Sequence, residues 1–368
     1  MANTLKFGNG EWYGKKDTIL AYNDENKNYK PLPFDFSRGS SATVVNKDGL
    51  IETVVGGEPR IDYKDDSKGA LLLEPSRTNY LSYSQDFSYW TIAGSVTVTD
   101  NQIISPDGTL NASILDFTSA ISSSGVYRFS GDRTGSLSRS IYLKGAVGGE
   151  TIDLSDPHMG GGSNVTLTTE WQRFEYISTS EDTNSGLWLK NSVGNIIHAW
   201  GAQLEQGYAT SYIPTQGSAV TRLADSCSQT TPDGVIGQTE GVFFLDVGKY
   251  ESIGSISSGI IYIYNALGDK LGFAVSNTKL IRVRVNAVNE QIGGTQVENS
   301  KTAIRYTSTG IDVFYNGVKQ TLTTIGNEVF SLPTSVNAIV PNQTYGIKGL
   351  QLYNTALTDQ ELIALTQV

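Results

Sequence analysis

Residues 311–318 read Ile-Asp-Val-Phe-Tyr-Asn-Gly-Val. Side chains of a strand point alternately to its two faces, so Ile311, Val313 and Tyr315 share one face. Asn316-Gly317 then turns the chain back, because these two residue types accept the positive φ that a tight hairpin demands. The same grammar recurs on both sides. Asn46-Lys47-Asp48-Gly49 reads as a hairpin turn between 42–45 and 50–54. Period-two runs follow at Val96–Val98, Val126–Phe129, Arg139–Leu143 and Trp171–Tyr176, the last placing Trp171 off the Phe174/Tyr176 face. Leu187–Leu189, Ile196–Trp200, Val242–Val247, Gly259–Tyr264, Leu280–Val285 and Ile347–Tyr353 complete the set. Evenly spaced short strands predict an all-β protein of two β-sandwich or jelly-roll domains.

One segment breaks the pattern. Thr358-Asp359-Gln360-Glu361 is a capping box, with Leu357 before it and Leu362 after it as a hydrophobic staple. It predicts a short C-terminal helix, marginal alone and therefore packed on the last domain. The expected organisation is an N-terminal anchoring segment over 1–80, a jelly roll over 81–215 and a second sandwich over 216–368. Tyr212–Gly217 reads as a linker or domain edge between the last two. Pro31 and Pro33 keep the opening segment extended.

Composition agrees. Of 368 residues 39 are glycine and only 17% are charged, which suits many strands joined by tight turns. The net charge of −10 and pI near 4.8 exclude a nucleic-acid partner on electrostatic grounds. Cys227 is the sole cysteine, so neither an intrachain disulfide nor a cysteine metal cluster can form. The start MANTLKFGNG lacks a basic stretch followed by an apolar run, and no stretch approaches a membrane span, so neither a signal peptide nor membrane insertion is expected.

Catalytic chemistry finds little purchase. His158 and His198 are the only histidines. His198 lies in a strand-like run and reads as half-buried; His158, in a glycine-rich loop near Asp153 and Asp156, lacks the ligand set of a metal site. No P-loop, HExxH, EF-hand or GxSxG pattern occurs. The expectation is no enzyme, no catalytic residue, no metal site and no cofactor. A structural calcium ion is compatible with either sandwich but has no assignable ligands.

Three stretches carry a family resemblance. FSRGSSATVVNKDGLIETV with EPRIDY and GALLLEPSRTNYLSYSQDFSYW, over 36–90, resembles an N-terminal signature of tailed-bacteriophage tail and fibre proteins. AWGAQLEQGYATSYIPTQGSAVTRLAD, residues 199–225, resembles the segment closing the middle jelly roll of such proteins. GIKGLQLYNTALTDQELIAL, residues 346–365, resembles the end of concanavalin A-like, laminin-G-type sandwiches. The opening LKFGNGEW is similar to the leader of such proteins in phages of Bacteroidetes hosts, crAss-like ones included. The resemblance implies a carbohydrate-binding-module-like jelly roll, a lectin-like sandwich, a virion location on head or tail, and a homo-oligomer, with a trimer favoured. Read physically, Arg60 and Arg77 each sit beside a proline, with Glu58 and Glu74 as candidate partners, and serve the fold.

The leading function is attachment to host surface glycan, with residues 1–80 meeting other virion proteins. The alternatives are a purely architectural head or tail decoration and, more weakly, a polysaccharide depolymerase. The last is disfavoured because phage depolymerases resemble repeated β-helices and no repeat is visible here. Sugars stack on exposed aromatic rings. Trp188, beside a turn, is the first candidate; Tyr262 and Tyr264, on one strand face, are second; Tyr142 is third. Trp171 and Trp200 read as core.

Overall fold

A computed structural model describes residues 4–7, 12–15, 18–23, 28–122, 124–158, 162–181, 184–191, 194–228, 237–251, 258–264, 270–276, 279–326, 328, 335–338 and 344–368. The protein is all-β, with a single α-helix among the described residues.

The jelly roll packs two five-stranded antiparallel sheets. One has the order Thr91–Ala93, Gly125–Phe129, Gly186–Lys190, Thr151–Ser155, Gly162–Thr166. The other runs Thr97–Ile104, Leu110–Asp116, Ile196–Gln206, Thr134–Gly145, Gln172–Glu181. Alternate residues close the core between them, among them Leu115, Val126, Ile141, Leu154, Leu187, Leu189 and Ile197. The opposite face of the first sheet looks outward, as antiparallel sheets permit, whereas that of the second is partly covered, its Ala112 and Trp200 packing with Ile51 and Tyr212.

The second sandwich pairs an eight-stranded sheet with a five-stranded one. Gly241–Glu251 lies inside the larger sheet and is covered on both sides, which explains the unbroken run Val242–Leu245. Phe243 and Leu245 enter the core between the sheets, while Val242 and Phe244 pack with Ala303, Phe314 and Leu362 under the C-terminal helix. That helix, Asp359–Thr366, carries the expected capping box: the Thr358 hydroxyl accepts from the Glu361 N–H, and the Glu361 carboxylate accepts from the Thr358 N–H at 2.8 Å. Thr358→Ala is expected to cost about 1 kcal/mol, read as a lower midpoint in the unfolding of this sandwich.

Residues 1–80 do not stand apart from the rest of the chain. Thr4–Phe7 and Ala70–Leu73 both pair with Thr344–Tyr353, and Arg60–Asp62 extends the sheet beyond Ala70–Leu73. Asn28–Ser37 pairs with Ser226–Ser228, and Arg77–Asn79 with Val220–Arg222. A division at residue 80 therefore cuts across sheet hydrogen bonds. All but the pairing of Arg60–Asp62 with Ala70–Leu73 join residues more than a hundred positions apart, which local periodicity cannot register. Tyr212–Gly217 is likewise no free linker. Tyr212 is buried against Trp200, its ring centroid at 4.5 Å, and its carbonyl accepts from the Thr43 hydroxyl.

At the junction five charged side chains, all buried, form one knot. Arg38 Nη1 lies 2.9 Å from Asp225 Oδ1. Arg60 bridges Glu74 Oε2 at 2.7 Å and Asp225 Oδ2. Arg222 Nη1 lies 2.7 Å from the same Glu74 oxygen. The Ser211 hydroxyl and N–H also donate to Glu74, and the Glu74 N–H donates to Asp225. Burial alone would push the Glu74 carboxyl up; Arg222, Arg60 and the Ser211 donors outweigh it and hold it far below the usual carboxylate range. Arg60 thus finds Glu74 as expected. Glu58 takes no part in the knot, and Arg77 instead stacks over the Tyr208 ring at 4.8 Å.

Candidate functional site

The outer face of the sheet that begins with Thr91–Ala93 carries the strongest constellation. Register sets two rows across it. Thr91, Tyr127, Trp188, Ser155 and Gly162 are cross-strand neighbours. Beside them run Ala93, Gly125, Lys190, Asp153 and Asn164. Val126, Leu187, Leu189, Ile152 and Leu154 fill the core from the other face, so period two forces Tyr127, Phe129, Trp188 and Lys190 outward.

The Trp188 indole lies down on this sheet. A β-carbon at position 125 would fall 2.1 Å from Trp188 Nε1 and 2.6 Å from the Leu189 carbonyl oxygen, so only glycine admits the ring there. Tyr127 meets Trp188 edge-on with ring centroids 5.9 Å apart, and Phe129 meets Tyr127 edge-on at 5.2 Å. Such geometry locks the rings against one another. The Lys190 ammonium sits 5.4 Å from the indole centroid. Trp188 Nε1–H has no protein acceptor among the described residues. Asp153 leans over Gly162, where a β-carbon would touch its carboxylate at 2.1 Å. The face therefore offers three adjoining rings flanked by a cation, a carboxylate and the Asn164 amide, the donor and acceptor types that bind sugar hydroxyls.

The other predicted residues lie elsewhere. Tyr142 sits on the opposite jelly-roll sheet, half-buried, edge-on to Trp200 at 5.6 Å with the Arg173 guanidinium over its ring. Burial raises its phenol above the ordinary value. Tyr262 is half-buried in the second sandwich, its phenol raised by burial and hydrogen-bonded to Arg284. The Tyr264 side chain lies outside the described residues. The four candidates therefore do not converge. Tyr127 and Phe129 were missed as site residues, although the alternation of 126–129 already puts them on one face. Trp200 is core, but Trp171 is only half-buried and donates to the Ile104 carbonyl.

His198 is half-buried on its strand, and its imidazole is shifted down by burial and by Lys144. Asp156, one of the carboxylates near His158, is buried and paired with Arg139. Among the described residues no three His, Cys, Asp or Glu side chains cluster as a metal ion requires. No helix there is long and apolar enough to cross a membrane.

Fold and site define a double β-sandwich protein with an aromatic sheet face. No protein-family model and no curated protein matches the chain. Among solved structures it is similar to the CBM40 of Ruminococcus gnavus IT-sialidase bound to α2,3-sialyllactose (15% identity, 38% of this chain and 91% of that one, TM-score 0.30). It is also similar to Trypanosoma rangeli sialidase in complex with the inhibitor DANA (9% identity, 95% of this chain and 65% of that one, TM-score 0.32). A third is the leech intramolecular trans-sialidase complexed with 2,7-anhydro-Neu5Ac (16% identity, 38% and 26%, TM-score 0.28).

Proposed function

We propose that the chain is a virion appendage protein of a tailed phage that attaches to host-surface glycan, without cleaving it, through the outer jelly-roll face around Trp188. The observation that carries the glycan reading is the indole laid flat over Gly125 beside Tyr127 and Phe129. Flat rings with polar flanks bind pyranose faces. The virion reading rests on the phage-like stretches at 36–90 and 199–225. Weak single sites suffice for attachment, because copies held on one particle multiply avidity.

The test is a glycan array on the full chain, followed by titration of a retained glycan into wild type and Trp188→Ala. The variant is expected to bind about tenfold more weakly, equivalent to about 1.4 kcal/mol for one lost ring contact. Equal binding by both proteins would remove the site from this face.

A second reading, an architectural part docked on other virion proteins, is favoured by the apolar rim at one end of the jelly roll. There Leu50, Ile104 and Leu110 are 39%, 55% and 56% exposed, and Ile104 pairs directly with Leu110. An array that retains nothing would favour it.

A further inference from the structure

The cleft between the two sandwiches gathers three basic side chains from separate segments. Lys64 follows Arg60–Asp62, and Lys249 lies on Gly241–Glu251 of the same sheet. Arg173 comes from the jelly roll, on the strand paired with that of Tyr142, and Tyr142 and Arg173 are directly opposite in register. Among the described residues none of the three cations is ion-paired. Arg173 donates one hydrogen bond, to the Ser140 hydroxyl at 2.8 Å, and its buried Nε has no partner.

The carboxylates near the cleft, Glu175, Glu205 and Glu74, favour the charged form of Arg173 but form no ion pair with the three cations among the described residues. Glu74 is held by Arg60 and Arg222. Asp62 accepts from the N–H groups of Val45 and Lys64, and burial pushes its carboxyl up toward the neutral form. Asp65 and Glu175 are exposed at the rim. Of the two carboxylates lining the cavity, Glu74 is engaged by Arg60 and Arg222, which leaves three cations against Asp62 on a chain whose net charge is −10. Desolvation in the cleft, then the charges of Lys249 and Arg173, hold the Lys64 ammonium below its ordinary range, with Asp65 and Glu175 acting in the opposite direction. The cavity holds about 30 Å³, room for two or three water-sized groups and so for an oxyanion, not a sugar ring.

We propose that this cleft is a second ligand site, distinct from the aromatic face, that takes the carboxylate of an acidic saccharide between Lys64, Lys249 and Arg173. The oxyanion part follows from the cleft alone; the saccharide part rests on the glycan-binding reading above.

The test is calorimetric titration of the full chain with trigalacturonate, with maltotriose and potassium sulfate as separate arms. It is run on wild type, Trp188→Ala and the double variant Lys64→Gln/Lys249→Gln. Both lysines reach solvent, and equal thermal midpoints would show that folding is intact. Trigalacturonate is expected to bind wild type and Trp188→Ala alike and to bind the double variant at least tenfold more weakly. Its affinity should also fall between 50 and 300 mM salt, as charge-mediated binding does. Maltotriose bound as tightly as trigalacturonate, or a double variant as competent as wild type, would overturn the proposal. Sulfate bound as tightly as trigalacturonate would overturn its saccharide part and leave a free-anion site. Loss of binding in Trp188→Ala alone would return the ligand to the sheet face. Failure of the sheet-face reading, with neutral glycans never retained, leaves trigalacturonate binding at the cleft as an independent result.

Discussion

Arg60→Ala is expected to remove about 3–5 kcal/mol of folding free energy, because it strands two buried carboxylates. Arg60 is fully buried and binds Glu74 and Asp225 at once. Without it Glu74 keeps Arg222 and the Ser211 donors, and Asp225 keeps Arg38 and the Glu74 N–H, each short of one charged partner. The knot also ties the Thr43 carbonyl and Ser211 to Arg60, so the first hairpin, the end of the jelly roll and the second sandwich all lose an anchor together. Thermal midpoints should fall by on the order of 10 °C in both sandwiches. Four of the five tryptophans, Trp90, Trp171, Trp188 and Trp200, lie in 81–215 and none in 216–368. Tryptophan emission therefore follows mainly the jelly roll, and calorimetry follows the whole. A midpoint unchanged in both signals would refute a stabilising knot.

The same knot fixes a pH dependence. Glu74 titrates below its ordinary value of about 4.3 when folded. A depressed carboxylate contributes stability that is fully present above the unfolded value and lost as the pH falls through the folded one. Stability should thus hold from neutral pH down to about pH 5 and decline below it. In Glu74→Gln that acid decline should be shallower from a lower starting point, as chemical denaturation at stepped pH would register.

Phe243→Ala should cost a comparable amount, about 3–5 kcal/mol, by a different route. Phe243 is fully buried, and its ring centroid lies 4.9 Å from that of Phe273 on the facing sheet. Its removal opens a cavity where the two sheets interlock through aromatic rings, and neighbouring strands cannot collapse to fill it without breaking register. The defect is confined to the second sandwich. The calorimetric transition should therefore move down by on the order of 10 °C while the tryptophan transition moves less. Equal displacement of both signals would mean that the sandwiches unfold as one unit. The contrast with Arg60→Ala separates a core residue from a junction residue.

Most of the strand pattern was legible because its causes are local. Asn316 and Gly317 adopt φ of 46° and 79°, as the hairpin they terminate requires. The Thr358–Glu361 box forms as read. Trp188 does lie on an outward face, since its neighbours Leu187 and Leu189 alternate inward. Arg77 and Glu58 went astray for the opposite reason: proximity along the chain says little about partners when ion pairs form across it. Arg60 and Asp225 meet over 165 positions.

Side-chain alternation and turn chemistry are written within a few consecutive residues, so the amino-acid order alone determined an all-β chain, its hairpins, its terminal helix and the outward direction of Trp188. Which strands become neighbours is settled by burial across the whole molecule. Only the tertiary structure therefore decided that residues 60–73 complete the last sheet, that Tyr127 and Phe129 join Trp188, and that Lys64, Lys249 and Arg173 face one cleft.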